Sequence, residues 1–179
     1  MAGFIDEITT RITVNVHADA IDEGIDRVES DPFLSRCPSI AETLREKKKQ
    51  LEDMAEPVAY AVAQSLQSNQ EMIISSKHYI TGMMANSVDI SQDGTDYLVG
   101  NTATSYDGFP YPLAIEKGRR EVFPVERKWL RWFEGGIGGT PIFAKHSSAV
   151  DPDPFVQPSI DDTIYDIRKI VSDEVEKIK

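Results

Sequence analysis

The chain has 179 residues, of which 40 % are hydrophobic and 27 % charged, a composition that predicts a globular protein with a core and excludes a wholly disordered one. A formal net charge of -11 disfavours a protein that clamps nucleic acid by its phosphates, although DNA could still slide past such a surface. No apolar run could span a membrane and no secretory signal opens the sequence, so we expect a soluble protein made in a cytoplasm. The single cysteine, Cys37, excludes an internal disulfide and a multi-cysteine zinc site, and we expect it to be a small buried residue.

The first 38 residues predict a strand followed by a short helix. From Ile12 to His17 apolar and polar residues alternate, which predicts a strand that faces the core. Asp19 is positioned to cap a helix that runs through Val28. We interpret 1–38 as an N-terminal strand–helix extension of a single domain that covers 1–179.

A long helix is predicted next, with a bend inside it. Ser39 and Glu42 have capping-box spacing, and apolar residues then recur at three, four or seven positions from Leu44 to Leu66. Pro57 removes a helical hydrogen bond, so we expect a kink near Met54, the alternative being two helices that meet there. After residue 70 the apolar pattern changes, which predicts that the helix has ended.

A β-hairpin is the clearest local prediction. Ser87–Ser91 alternates apolar and polar residues, Tyr97–Gly100 is a short apolar run, and Asp93-Gly94 lies between them. Asp-Gly between two runs of this kind is typical of a tight hairpin turn.

The region from residue 111 to residue 160 contains both tryptophans and much of the glycine and proline. Alternation from Val122 to Phe133 predicts short strands that are buried on one side. The glycine run Gly135–Gly139 predicts a flexible turn, and Ile142–Ala144 is predicted to form the return strand. A proline-rich segment, Asp151–Pro158, then leads to a final helix. We expect Ser159 and Asp162 to form that helix's capping box, and an apolar face at three- and four-residue spacing to bury it.

These elements together predict an α+β fold. A small antiparallel sheet of about four strands packs against a long kinked helix and a C-terminal helix.

The sequence contains no arrangement of residues that predicts catalysis. Its three histidines lack metal-ligand spacing, the glycine run lacks the lysine of a phosphate-binding loop, and no serine lies in a nucleophile elbow. We therefore expect a protein that is not an enzyme and has no metal or cofactor. A small cytoplasmic hydrolase is the alternative from another functional class.

Basic residues are concentrated in one window. From Lys117 to Arg131 there are six basic residues against two acidic ones, a net charge of about +4 in a chain that is otherwise near -15. Such a patch could meet an acidic surface of a neighbouring copy. The alternative is a solvated face on which lysine and arginine stems cover apolar surface.

Six short motifs follow one another between residues 81 and 160: Thr81–Val88, Tyr111–Gly118, Phe123-Pro124, Lys128–Trp132, Ile142–Lys145 and Asp153–Ile160. In this order they resemble the tail-component, or tail-completion, family of tailed bacteriophages. The chain departs from that pattern where His78-Tyr79-Ile80 replaces the usual proline-basic pair, and in its longer region before Ser39.

The resemblance implies a virion protein of the neck or head-proximal end of the tail, assembled in the host cytoplasm. It implies a homo-oligomeric ring, commonly of six copies, that contacts a connector or stopper ring and the tail tube protein. DNA would pass through the lumen without specific binding, and no membrane is involved. An adaptor or stopper ring nearer the portal, mostly helical or built on a barrel, is the structural alternative.

For subunit contacts we select aromatic and charged residues of the same region: Tyr111, Glu116, Lys117, Arg119, Arg120, Arg127, Trp132 and Phe155. Large aromatic residues dominate both cores and interfaces, and we favour the core for Trp129 and Phe155. Glu116 is expected to pair with a base of the basic window, in the same or a neighbouring copy, or else to be exposed. Gly118 is expected at a turn with positive φ.

Overall fold

The computed structural model describes residues 8–77, 82–104, 108–125, 128–134 and 140–177, and only the backbone of 132–134. Within these ranges the fold is α+β, as predicted. The helices are α1 Asp19–Ser30, α2 Pro38–Asp53, α3 Ala55–Lys77, α4 Tyr111–Lys117 and α5 Val156–Glu176. The strands are β1 Thr10–Ile12, β2 Val88–Asp93, β3 Asp96–Asn101, β4 Leu130–Glu134 and β5 Thr140–Ala144.

The core forms around α3, which packs against both α5 and the sheet formed by β1, β3 and β2. Leu66 and Ile74 of α3, Val99 of β3 and Phe155 at the start of α5 are fully buried together. Apolar burial of this kind stabilises the fold by about 25 cal/mol for each Å² removed from water.

The strands form two separate antiparallel sheets, whereas the sequence predicted one sheet of about four strands. Among the described residues, the first sheet has the order β1-β3-β2, and the second consists of β4 and β5. The hairpin prediction is confirmed: β2 and β3 pair up to Asp93 and Asp96, and Gly94 has a φ of 64° in the turn between them.

The N-terminal strand lies earlier than predicted. It covers Thr10–Ile12, and no strand extends over the predicted residues up to His17. Ile12 pairs with Tyr97, and β3 begins only one residue earlier, at Asp96, so β3 is too short to pair with the residues up to His17. Val14 still packs against the core.

The bend in the long helix is confirmed. The helix is interrupted at Met54, between the end of α2 at Asp53 and the start of α3. Pro57 has no N–H to donate to the carbonyl of Asp53, which explains the break one turn before the proline. The predicted end of the helix after residue 70 is wrong, because α3 continues to Lys77 and Ile74 occupies its buried face.

The first helices differ in detail from the predictions. Ala18, not Asp19, is the N-cap of α1. Helix α2 starts at Pro38 after the N-cap Cys37, so the capping box at Ser39 is wrong; the fixed φ of proline suits a first helical position. Cys37 is exposed rather than buried.

The last helix also starts differently. Its N-cap is Phe155, and Ser159 lies inside the helix, where its hydroxyl donates to the carbonyl of Val156 at 2.7 Å. The capping box predicted at Ser159 is therefore wrong. Thr163 anchors the helix to α3, since its Oγ1 accepts from Asn69 Nδ2 at 3.0 Å.

Candidate assembly surface

A two-stranded ribbon is formed by the described residues between 118 and 151. Isolated bridges join Arg119 to Val150 and Val122 to Ser147, and β4 pairs with β5 beyond them. Among the described elements, β4 and β5 pack on each other and only marginally on anything else. A two-stranded ribbon is at best marginally stable alone in water, so this one is suited to packing against a partner.

The ribbon leaves the body at Gly118, as the positive-φ prediction anticipated. This residue has φ 72° and ψ 175°, a conformation that is essentially restricted to glycine. A Cβ at this position would lie 2.6 Å from the carbonyl oxygen of Val150. The close approach of the two strands at the base of the ribbon therefore requires glycine.

Glu116 joins the base of the ribbon to α5. Its Oε2 accepts hydrogen bonds from the N–H of Phe155 at 2.8 Å and from that of Val156 at 3.2 Å. A carboxylate at a helix N-terminus satisfies free amides and interacts favourably with the helix dipole. The sequence did not predict this capping role for Glu116, and its pairing with a base of the same or a neighbouring copy stays a prediction.

Side chains hold the strands of the ribbon together between its base and β4–β5. Arg119 donates to Ser147 Oγ at 2.5 Å, and His146 Nδ1 lies 2.5 Å from a carboxylate oxygen of Glu121. The Phe123 ring stacks on the His146 ring with centroids 5.8 Å apart. Phe123 and Val125 are exposed, and Val125 is 98 % exposed, so the one-side-buried strand predicted there is wrong.

One face of the ribbon combines aromatic rings with cations. Arg131 pairs with Phe143 across the strands, and its guanidinium carbon lies 5.8 Å from the ring centroid. One step further, Lys145 Nζ lies 5.7 Å from the Trp129 centroid. Trp129 and Lys145 lie one residue beyond the paired ends of β4 and β5, next to the Arg131–Phe143 pair. We term these four residues the aromatic–basic face.

The aromatic–basic face is open to solvent. Phe143 is 58 % exposed and Trp129 is 42 % exposed, so the core position favoured for Trp129 is wrong. A cation over a ring contributes more once water is removed from it. Together with the ribbon's lack of support from the body, this makes the aromatic–basic face the best candidate for a contact with another molecule.

The other selected residues lie at the base of the ribbon or in the core. Phe155 is fully buried, which confirms the core position. Tyr111 packs against the core, where burial raises the pKa of its hydroxyl. Lys117 and Arg120 are exposed and Arg119 is half-buried. Arg127, the side chain of Trp132 and the turn predicted at 135–139 lie outside the described residues.

Phe143 and Lys145 were not selected from the sequence, although they occupy the centre of the exposed face. Alternation in β5 shows that the two share a face, but not whether that face is buried. Their contacts with Arg131 and Trp129 depend on the register of β4 with β5, and the glycine-rich sequence Gly135–Gly139 between the two strands contains no pattern that fixes this register.

The chain was compared with protein-family models, curated proteins and solved structures, and none of them matches it. Within the described ranges, no three His, Cys, Asp or Glu residues are grouped so that they could hold a metal ion. None of the helices in those ranges is both long and apolar enough to cross a membrane.

Proposed function

We propose that this chain is a structural virion protein of a tailed phage or virus. Copies of it form a ring at the head–tail interface, cap the tail tube and join it to the head, and leave a channel for DNA. The carrying observation is the ribbon, which extends from a well-packed body and exposes the aromatic–basic face. A chain that keeps such a surface uncovered is suited to assembly rather than to catalysis.

The residues of the family resemblance have a physical role in this structure. In the motif Tyr111–Gly118, Glu116 caps α5 and Gly118 provides the turn into the ribbon. In the motif Asp153–Ile160, Phe155 fills the core, and the Asp153 N–H donates to the carbonyl of Ile115 at 2.9 Å. Two of the six motifs that carry the resemblance thus attach the ribbon to the body, which supports the same use of the ribbon.

Ring formation suits this architecture. Contacts between two different surfaces of neighbouring copies build a ring when the rotations from copy to copy add up to a full turn. The ribbon supplies one such surface at a distance from the body. A chain of net charge -11 can line a channel that repels phosphate, so DNA passes through without binding specifically.

The tail-terminator position is favoured over an adaptor or stopper ring nearer the portal. The small sheet that contains the β2–β3 hairpin is covered by α3, which also packs against α5. A small sheet covered by helices is the arrangement expected for a tail terminator. In this proposal the chain is not an enzyme and needs no metal or cofactor. Its partners are the neighbouring connector ring and the tail tube protein.

Deletion of the gene in the virus that encodes it tests the proposal. We expect filled heads with unjoined tails, or tails of uncontrolled length, and recovery of infectious particles when the wild-type chain is supplied in trans. Empty heads that have lost their DNA would favour the stopper alternative. Normal infectious particles without the gene would refute a structural role in the virion, and turnover of small ester or phosphate substrates by the purified chain would then favour the hydrolase.

A further inference from the structure

Helix α5 exposes a second apolar surface, distant in sequence from the ribbon. Ile164 is 59 % exposed and Tyr165 is 88 % exposed. The helix packs on α3 through other positions, including the buried Ser159 and Thr163, so its partner within the chain does not cover these two side chains.

This surface is acidic at its N-terminal end. Asp161 lies one turn before both Ile164 and Tyr165 and is exposed, as is the neighbouring Asp162. No base occurs in α5 before Arg168. We refer to Asp161, Asp162, Ile164 and Tyr165 as the α5 patch.

The α5 patch and the aromatic–basic face are complementary in two respects. Each exposes large apolar side chains, and the bases of the aromatic–basic face are opposite in charge to the acids at the N-terminal end of the α5 patch, whereas Arg168 and Lys169 lie one turn beyond its C-terminal end. Within one protomer, the described parts of β4 and β5 have at most marginal contact with α5. The large apolar side chains of both surfaces are therefore exposed to another molecule.

We propose that the aromatic–basic face of one copy docks on the α5 patch of a second copy. Phe143 and Trp129 would cover Ile164 and Tyr165, while Arg131 and Lys145 would face Asp161 and Asp162. Because the two surfaces differ, every copy carries one of each, and the contact is head to tail. The inference rests on the self-assembly that the proposed function requires, but not on the position of the ring in a virion.

Charge reversal on each surface, followed by mixing, tests this contact. The ribbon variant is R131E/K145E, and the helix variant is D161K/D162K. Each variant alone places like charges opposite each other, and we expect self-association at least tenfold weaker than wild type, measured by sedimentation equilibrium of the full chain. The two variants mixed in equal amounts place opposite charges together at every contact, so association should return towards the wild-type value.

Matched controls separate this contact from general charge effects. K47E/K49E on the exposed side of α2 changes the net charge as the ribbon variant does, and should leave association unchanged. F143S removes the Phe143 ring from the aromatic–basic face and should weaken association. F33S is its control, because the Phe33 ring also carries a cation, with the Arg36 guanidinium carbon 5.7 Å from its centroid. Circular dichroism of every variant confirms that the fold is retained.

Several results would overturn the inference. A wild-type chain that is monomeric at every concentration, or variants that associate like wild type, would show that these surfaces do not meet. Loss of association without recovery on mixing would show that the ribbon docks elsewhere. Tight binding of a labelled single-stranded oligonucleotide, abolished in R131E/K145E, would identify nucleic acid as the occupant instead. Recovery on mixing together with normal particles after gene deletion would leave the contact standing and refute only the virion role.

Discussion

Removal of the Glu116 carboxylate should loosen the junction between the ribbon and the body. It accepts from two consecutive amides at the start of α5, at 2.8 and 3.2 Å, and Phe155, which provides the first, is buried in the core. A lost helix cap typically costs about 1 kcal/mol, and each amide left without an acceptor adds to this cost. We expect E116A to lower the free energy of unfolding by about 2 kcal/mol, and E116Q, which retains an acceptor oxygen, by about 1 kcal/mol.

The measurement is urea unfolding at neutral pH, followed by circular dichroism. Hydrogen exchange at the Phe155 and Val156 amides adds a local readout and should become faster in E116A. E42A on the exposed surface of α2 is the control for removal of one exposed carboxylate. If E116A were as stable as E42A, or if the two amides remained equally protected, the assignment of Glu116 as the cap of α5 would be refuted.

Three further substitutions test other parts of the structure. G118A should lower the free energy of unfolding by about 2–4 kcal/mol, because the added Cβ collides with Val150 and the φ is unfavourable for alanine. G94A is the control: its Cβ would have open space, so it should lower the free energy of unfolding by less. Thermal unfolding compares the two variants. Gln70 is fully buried, and neither atom of its side-chain amide has a hydrogen-bond partner among the described residues. Q70L should therefore raise the free energy of unfolding by about 1 kcal/mol, and a lower value than wild type would contradict this. The hydrogen bond from Arg11 lowers the pKa of Asp96 below its usual 3.8, so its stabilising contribution is present above that value and is lost as the pH falls through the lower folded-state pKa. D96N should therefore flatten the acid limb of the stability profile, and an unchanged limb would contradict the pairing.

Local chemistry made part of the fold predictable. The Asp-Gly turn and its flanking alternation specified β2–β3, and Pro57 specified the break at Met54, because each acts within a few residues. The positive φ of Gly118 followed from its place in a turn.

Other features depend on contacts between distant parts of the chain. The capping boxes at Ser39 and Ser159 were wrong because both helices begin before those residues. Helix α2 begins at Pro38 without a side-chain cap, and α5 begins at Val156, whose N–H donates to Glu116, 40 residues away in sequence. Alternation near Val122 correctly indicates extended chain, but does not show that the ribbon stands away from the core. The aromatic–basic face was missed for the same reason. It depends on the register of β4 with β5 and on the lack of close packing between that sheet and the helices of the body.

The most direct test of the central claim is electron microscopy of the purified full-length chain. We expect closed rings with a central channel, in which about six copies of the 20.0 kDa chain contact one another through their ribbons. The same images of R131E/K145E should show few rings. Isolated monomers, or compact dimers without a channel, would contradict the claim that this chain assembles a ring for the passage of DNA.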